Sequence, residues 1–82
     1  MEQIARTAKQ LANLLRQRRT ELGLTQAELA SRIALRQSTV SALETSANVR
    51  TATLLSSLAA LDLEMVIRPR TKASAKDIEA LF

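Results

Sequence analysis

The sequence predicts an all-α fold closed by a short C-terminal strand: four helices within residues 1–61, then an alternating segment and a polar tail. Three observations carry this. Leucines recur at helical spacing as far as Leu61, Thr25 and Glu28 form a helix-start signal while Gly23 forms a stop, and beyond Leu61 the apolar rhythm changes from helical to two-residue.

The first helix is expected over residues 8–22, AKQLANLLRQRRTEL, where Leu11, Leu14, Leu15 and Leu22 share a face and Gly23 follows as a stop. Thr25-Gln26-Ala27-Glu28 has the Thr-x-x-Glu form of a capping box, in which each side chain satisfies a free backbone donor at a helix start. A second helix should therefore run over 26–33 with Leu29, Ala30 and Ile33 inward. A third over 37–44 turns Val40 and Leu43 inward, and a fourth over 51–61 carries Leu54, Leu55, Leu58 and Leu61. ETSANVRT is a polar connection between them.

After Leu61, the residues Leu63, Met65 and Ile67 alternate with Asp62, Glu64, Val66 and Arg68 until Pro69 ends the run, the rhythm of a half-buried strand. The alternative is that residues 61–67 extend the fourth helix. A lone strand has no ladder for its backbone groups, and the simplest partner is the same strand of a second copy, paired antiparallel across a two-fold axis. The tail, TKASAKDIEALF, is polar at first and ends with Ile78, Leu81 and Phe82 at helix-like spacing; residues 70–82 are expected to be flexible.

Composition narrows the function. The chain has 82 residues, close to the size at which one core is barely self-sufficient, so association with a partner is expected. It contains no cysteine and no histidine, which removes thiolate nucleophiles, the usual zinc ligand sets and the commonest general base. The carboxylates Glu21, Glu28, Glu44, Asp62, Glu64, Asp77 and Glu79 are scattered and form no acid/base pair, so neither an enzyme nor a cofactor is expected. No apolar run approaches the roughly 20 residues of a membrane span, and MEQIARTAKQ lacks the apolar core of a secretory signal, which points to the cytoplasm. Within residues 1–50, Arg6, Lys9, Arg16, Arg18, Arg19, Arg32, Arg36 and Arg50 face only Glu2, Glu21, Glu28 and Glu44; the rest of the chain is balanced. A basic half suits a polyanionic partner.

The expected second and third helices are joined only by Ala34, Leu35 and Arg36, too few for an antiparallel hairpin but enough for two helices that cross steeply. Ala30, Ala34, Val40 and Leu43 then read as internal contacts of a helix-turn-helix, with Arg36, Gln37, Ser38 and Ser41 on the outer face of its second member. Arg36 stands where a Ser, Thr or Asp would cap the helix, and a cation at the positive end of a helix dipole costs roughly 0.3–1 kcal/mol. Folding gains nothing from that choice, whereas DNA does. In a major groove an arginine reaches guanine or phosphate, a glutamine pairs with adenine, and serines bond to either.

GLTQAELASRIALRQSTVSALE resembles the helix-turn-helix of the Xre/Cro family of repressors and antitoxins, through Gly23-Leu24-Thr25-Gln26, Leu29-Ala30, Gln37 with Val40, and Glu44; the resemblance spans residues 8–61. Ala34 departs from it, since the family commonly has glycine in the turn; a left-handed backbone there costs an alanine about 1 kcal/mol. Within the family the resemblance is strongest to HipB-type antitoxins, whose four helices and short dimerising strand are mirrored by LAALDLEMVIRP and whose recognition helix also opens with a cation and Gln. The resemblance implies a homodimer that binds a palindromic operator in its own promoter and restrains a HipA-like kinase toxin. A stand-alone repressor is the alternative, and a pure protein-interaction adaptor would leave Arg36-Gln37-Ser38 unmotivated. By matched position, Arg36, Gln37, Ser38 and Ser41 are base readers and Thr25, Gln26, Thr39, Ser46, Asn48 and Arg50 hold the DNA backbone. Arg19 and Glu44 pair across the first and third helices, and Leu63, Met65 and Ile67 form the dimer strand. Residues 1–61 are then the DNA-binding domain, 62–69 the dimerisation strand and 70–82 the tail, whose Ile78, Leu81 and Phe82 are candidates to dock on the toxin or the dimer. Arg16 and Arg18 are equally a solvated face or phosphate contacts.

Overall fold

The computed structural model describes residues 2–70. Four helices follow in order: α1 (Ala8–Glu21), α2 (Gln26–Arg32), α3 (Gln37–Ser46) and α4 (Thr51–Ala60). Helix α1 starts at Thr7, whose hydroxyl accepts the Gln10 amide at 3.1 Å, and ends at Gly23, which takes the left-handed conformation with φ +71°. The capping box forms as expected: Thr25 Oγ1 accepts the Glu28 amide at 3.0 Å while Glu28 Oε1 accepts the Thr25 amide at 3.0 Å.

Helix α3 runs two residues beyond the expected end at Glu44. The hydroxyls of Thr45 and Ser46 donate back to the carbonyls of Ser41 (2.7 Å) and Ala42 (3.4 Å), so they satisfy themselves within the helix instead of breaking it. The helix stops at Ala47, left-handed at φ 54°. Helix α4 ends at Ala60, with Leu61 as its cap and Asp62 left-handed at φ 57°, so residues 61–67 do not prolong it.

The core gathers Leu15 from α1, Leu29 and Ala30 from α2, Val40 and Leu43 from α3, and Leu58 with Leu61 from the end of α4. Helix α3 is packed against both α1 and α2, which holds one of its faces at the centre of the molecule. The expected core needs correction at several positions. Leu22 and Leu55 are exposed, and Ala34, expected inside the helix-turn-helix, lies exposed in the turn. Ala12 and Ser57 are fully buried instead; Ser57 Oγ donates to Thr53 O at 2.8 Å and so enters the core without a stranded hydroxyl.

Residues 63–70 leave the bundle with neither helix nor ladder, and among the described residues none is in a strand. A strand exists through ladder bonds, which a single copy of residues 63–67 does not find. Leu63 packs against the core, and exposure then rises from Met65 (47%) through Val66 (68%) to Ile67 (91%), a gradient in place of the expected alternation. The tail expected at 70–82, with Ile78, Leu81 and Phe82, lies outside the described residues apart from Arg70.

Candidate nucleic-acid interface

Helix α3 divides cleanly into two faces. Val40, Leu43 and Glu44 are buried, while Gln37, Ser38 and Ser41, together with Arg36 ahead of them, are exposed. Among the described residues the side chains of these four make no hydrogen bond, and Arg36 offers the helix no side-chain cap. The Gln37 and Ser38 amides therefore keep their donors free, beside a guanidinium and an amide side chain, while the Thr39 amide turns back to the Arg36 carbonyl at 3.0 Å. The structure thus brings the four candidate base readers together on one accessible surface.

The turn that aims this surface is short and strained. Ala34 adopts φ 54°, the left-handed region that favours glycine, and the chain reverses through Ala34 N to Ser31 O (3.2 Å) and Leu35 N to Ala30 O (2.9 Å). A buried ion pair fixes α3 from behind. Arg19 Nε donates to Glu44 Oε2 at 2.6 Å and Nη2 to Oε1 at 3.0 Å, while Nη1 donates to the Leu24 carbonyl at 2.7 Å. The hydrogen bonding that Arg19 donates to the Glu44 carboxylate is the main reason that the Arg19 pKa rises above its ordinary value; desolvation opposes it and the attraction of the carboxylate adds to it.

Gln26, expected at the DNA backbone, sends Nε2 to Glu44 Oε1 at 3.3 Å and is half-buried, so its side chain ties α2 to α3. Thr25 is exposed with its oxygen engaged in the capping box, and Ser46 is exposed at the far end of α3. The remaining backbone candidates do converge. Thr39, Asn48 and Arg50 line one shallow concavity where α3 meets the start of α4, beside the base-reader candidate Ser38 and with Leu35 and Val49 in its wall. Arg50 heads α4 as Arg36 heads α3, again without a side-chain cap. That repetition was legible, because an arginine stands directly before the first helical residue in both R-Q-S-T and R-T-A-T, but a cap position occupied by arginine only gains meaning once the helix start is known. Arg18 belongs to neither of its two expected roles, since Nε donates to the Leu61 carbonyl at 2.9 Å and the guanidinium lies 3.7 Å from Glu21 and 3.9 Å from Asp62.

Helices α2 and α3 are joined by a tight turn and α3 is exposed at one face, and a family model described as a helix-turn-helix domain matches residues 10–64. The chain belongs to this helix-turn-helix family. It is a DNA-binding regulator by that membership. Solved structures similar to this helix-turn-helix chain include a HipB variant in complex with an O2 20mer, 33% identical, covering 87% of this chain and 100% of that one, with a TM-score of 0.79. A HipB–O4 20mer complex is 32% identical over the same shares with a TM-score of 0.76. A HipA–HipB–O2–O3 complex is 32% identical, again over 87% and 100%, with a TM-score of 0.75. No curated protein sequence matches the chain. Among the described residues no helix is long and apolar enough to cross a membrane.

Proposed function

We propose that this protein is a HipB-type antitoxin: a cytoplasmic homodimer that represses its own promoter by binding a palindromic operator, and that binds and restrains a HipA-like kinase toxin. The observation that carries the DNA-binding half is the α3 surface, where Arg36, Gln37, Ser38 and Ser41 stand exposed and unpartnered ahead of a buried, pinned face. Gln37 reads adenine through both atoms of its amide, Arg36 takes guanine or phosphate, and Ser38 and Ser41 complete the groove contacts. Asn48, Arg50 and Thr39 grip phosphates at the start of α4, where free helix amides and an arginine favour an anion. Residues 1–61 form the DNA-binding unit. Residues 62–69 form the dimer strand through Leu63, Met65 and Ile67, and two-fold pairing of those strands sets the spacing of the two α3 helices on a palindrome.

Support for the kinase partner is the 33–32% identity to HipB chains whose solved complexes include one with HipA. A stand-alone repressor shares the α3 surface, and a pull-down with a HipA-like kinase separates the two readings. The DNA test is fluorescence anisotropy on the sequence upstream of the gene, for wild type and Gln37→Ala, over a salt series. Tight binding that weakens with salt, and a loss of roughly 1–3 kcal/mol in the variant, is the expected result. Affinity indifferent to Gln37 would remove α3 from the recognition of bases.

A further inference from the structure

A second concavity lies along α1, between the N-terminal segment and residues 63–70. Its floor is apolar, made by Leu11 and Leu14 of α1 with Leu58 and Leu63. Ile4 stands in one wall, half-exposed at 52%, and Met65 in the other. An ion pair from Glu2 to Arg68 at 3.0 Å joins the two walls across 66 residues of sequence.

The charge on this groove differs from that of the chain. Four arginines and four carboxylates line it, so it is neutral, whereas the chain as a whole carries +4. A neutral mixture around an apolar floor does not suit a polyanion. It suits a surface that meets its own copy, because a two-fold axis sets each arginine of one protomer against carboxylates of the other without net repulsion. The floor is also continuous with residues 63–67, whose apolar side chains grow steadily more exposed along the segment.

We infer that this groove seats residues 63–67 of a second copy, so that the N-terminal segment, through Ile4, is part of the dimer interface and covers the paired strands. The inference rests on the homodimer reading and adds an element to it. Arg18, bonded to the Leu61 carbonyl, is the positioning residue that holds the exit of the segment at the groove floor.

Sedimentation equilibrium of the full chain tests this with wild type, Ile67→Asp and Ile4→Asp, alongside thermal unfolding of each. Ile4 is half-exposed in a segment outside the helices, so its substitution leaves the fold intact and the melting temperature of the monomer unchanged. The expected result is a wild-type dimer whose dissociation constant rises at least tenfold in both variants. A monomeric wild type would overturn the homodimer reading itself. A dimer weakened by Ile67→Asp but not by Ile4→Asp would leave strand pairing standing and overturn the groove. A dimer indifferent to both, with kinase binding lost in Ile4→Asp, would assign the groove to the kinase and overturn the inference equally.

Discussion

Removing Arg19 should damage the protein far more than its single ion pair suggests, because of where the partner sits. Glu44 is on α3, its side chain 3% exposed, and Arg19 supplies two of its hydrogen bonds while Gln26 supplies a third, longer one. In Arg19→Met the carboxylate stays buried with only the Gln26 amide, and breaking a buried pair in this way costs about 3–5 kcal/mol. A chain of this length has a total stability of roughly 4–12 kcal/mol, so the variant loses a large fraction of it. Arg19→Met/Glu44→Leu removes both charges and fills the space with apolar atoms; it should recover most of the loss, short of wild type because the Leu24 carbonyl and Gln26 each lose a partner. Urea unfolding followed by far-UV circular dichroism, with the Glu44→Leu single variant added, measures all three differences from wild type and the coupling between the two sites. Operator affinity of the folded double variant then reports how far the pair orients α3. A single variant that loses less than about 1 kcal/mol, or a double variant whose loss is the sum of the singles, would refute this account of the pair.

Ala34→Gly should stabilise the protein by about 1 kcal/mol, since residue 34 is exposed and left-handed at φ 54°, and raise the melting temperature by roughly 4–8 °C for a domain of this size. A melting temperature at or below that of wild type would count against strain in the turn. Arg36→Ser gives α3 a capping hydroxyl and removes a cation from its positive end; stability should rise by about 1 kcal/mol while operator affinity falls and the salt slope shrinks by about one. Glu28 is held below its ordinary pKa of 4.5 by its hydrogen bond to the Thr25 amide, then by that to the Thr25 hydroxyl. A carboxylate with a lowered pKa contributes stability that is full above pH 4.5 and is lost as pH falls through the folded value, so the melting-temperature gap between wild type and Glu28→Gln should be constant at neutral pH and close only below that point.

The elements were legible where burial writes a period into the sequence. Leu11, Leu15, Leu29, Val40, Leu43, Leu58 and Leu61 recur because each helix has one inward stripe, and Thr25 with Glu28 marks a start because both groups are needed to satisfy the same two amides. Spacing was least informative where a residue tolerates either environment. Leucine is common on surfaces, so Leu22 and Leu55 kept the helical period while lying outside, and a small Ala34 fitted an internal contact as well as an exposed turn. Ser57 was hidden for the opposite reason, as its hydroxyl is satisfied one turn back and it behaves as a core residue. The bond from Arg18 to the Leu61 carbonyl spans 43 residues and depends on how α1 and the end of α4 meet, which no local pattern encodes. Of the candidate interface, the α3 face followed from its period, whereas the engagement of Gln26 with Glu44 required the packing of α2 on α3.

The four helix starts among the described residues divide into two kinds. Helices α1 and α2 are opened by threonines whose hydroxyls accept amides of the first turn, so the chain uses good caps at these two starts. Helices α3 and α4 are opened by Arg36 and Arg50, neither of which makes a capping bond. Chance replacement of a cap would leave any residue type in that place; here both carry a cation, which the helix dipole disfavours. The two starts also adjoin, since residues from the first turns of α3 and α4 line the same concavity. Free amides, positive dipole ends and arginines thus accumulate at one place on the surface, each unfavourable to the isolated fold and each favourable once an anion arrives. The buried face of α3 supplies what offsets this loss: Val40 and Leu43 in the core and Glu44 in its ion pair keep the helix in position without a cap. A poor start on a well-anchored helix is, on the proposed function, the form in which this sequence stores its affinity for DNA.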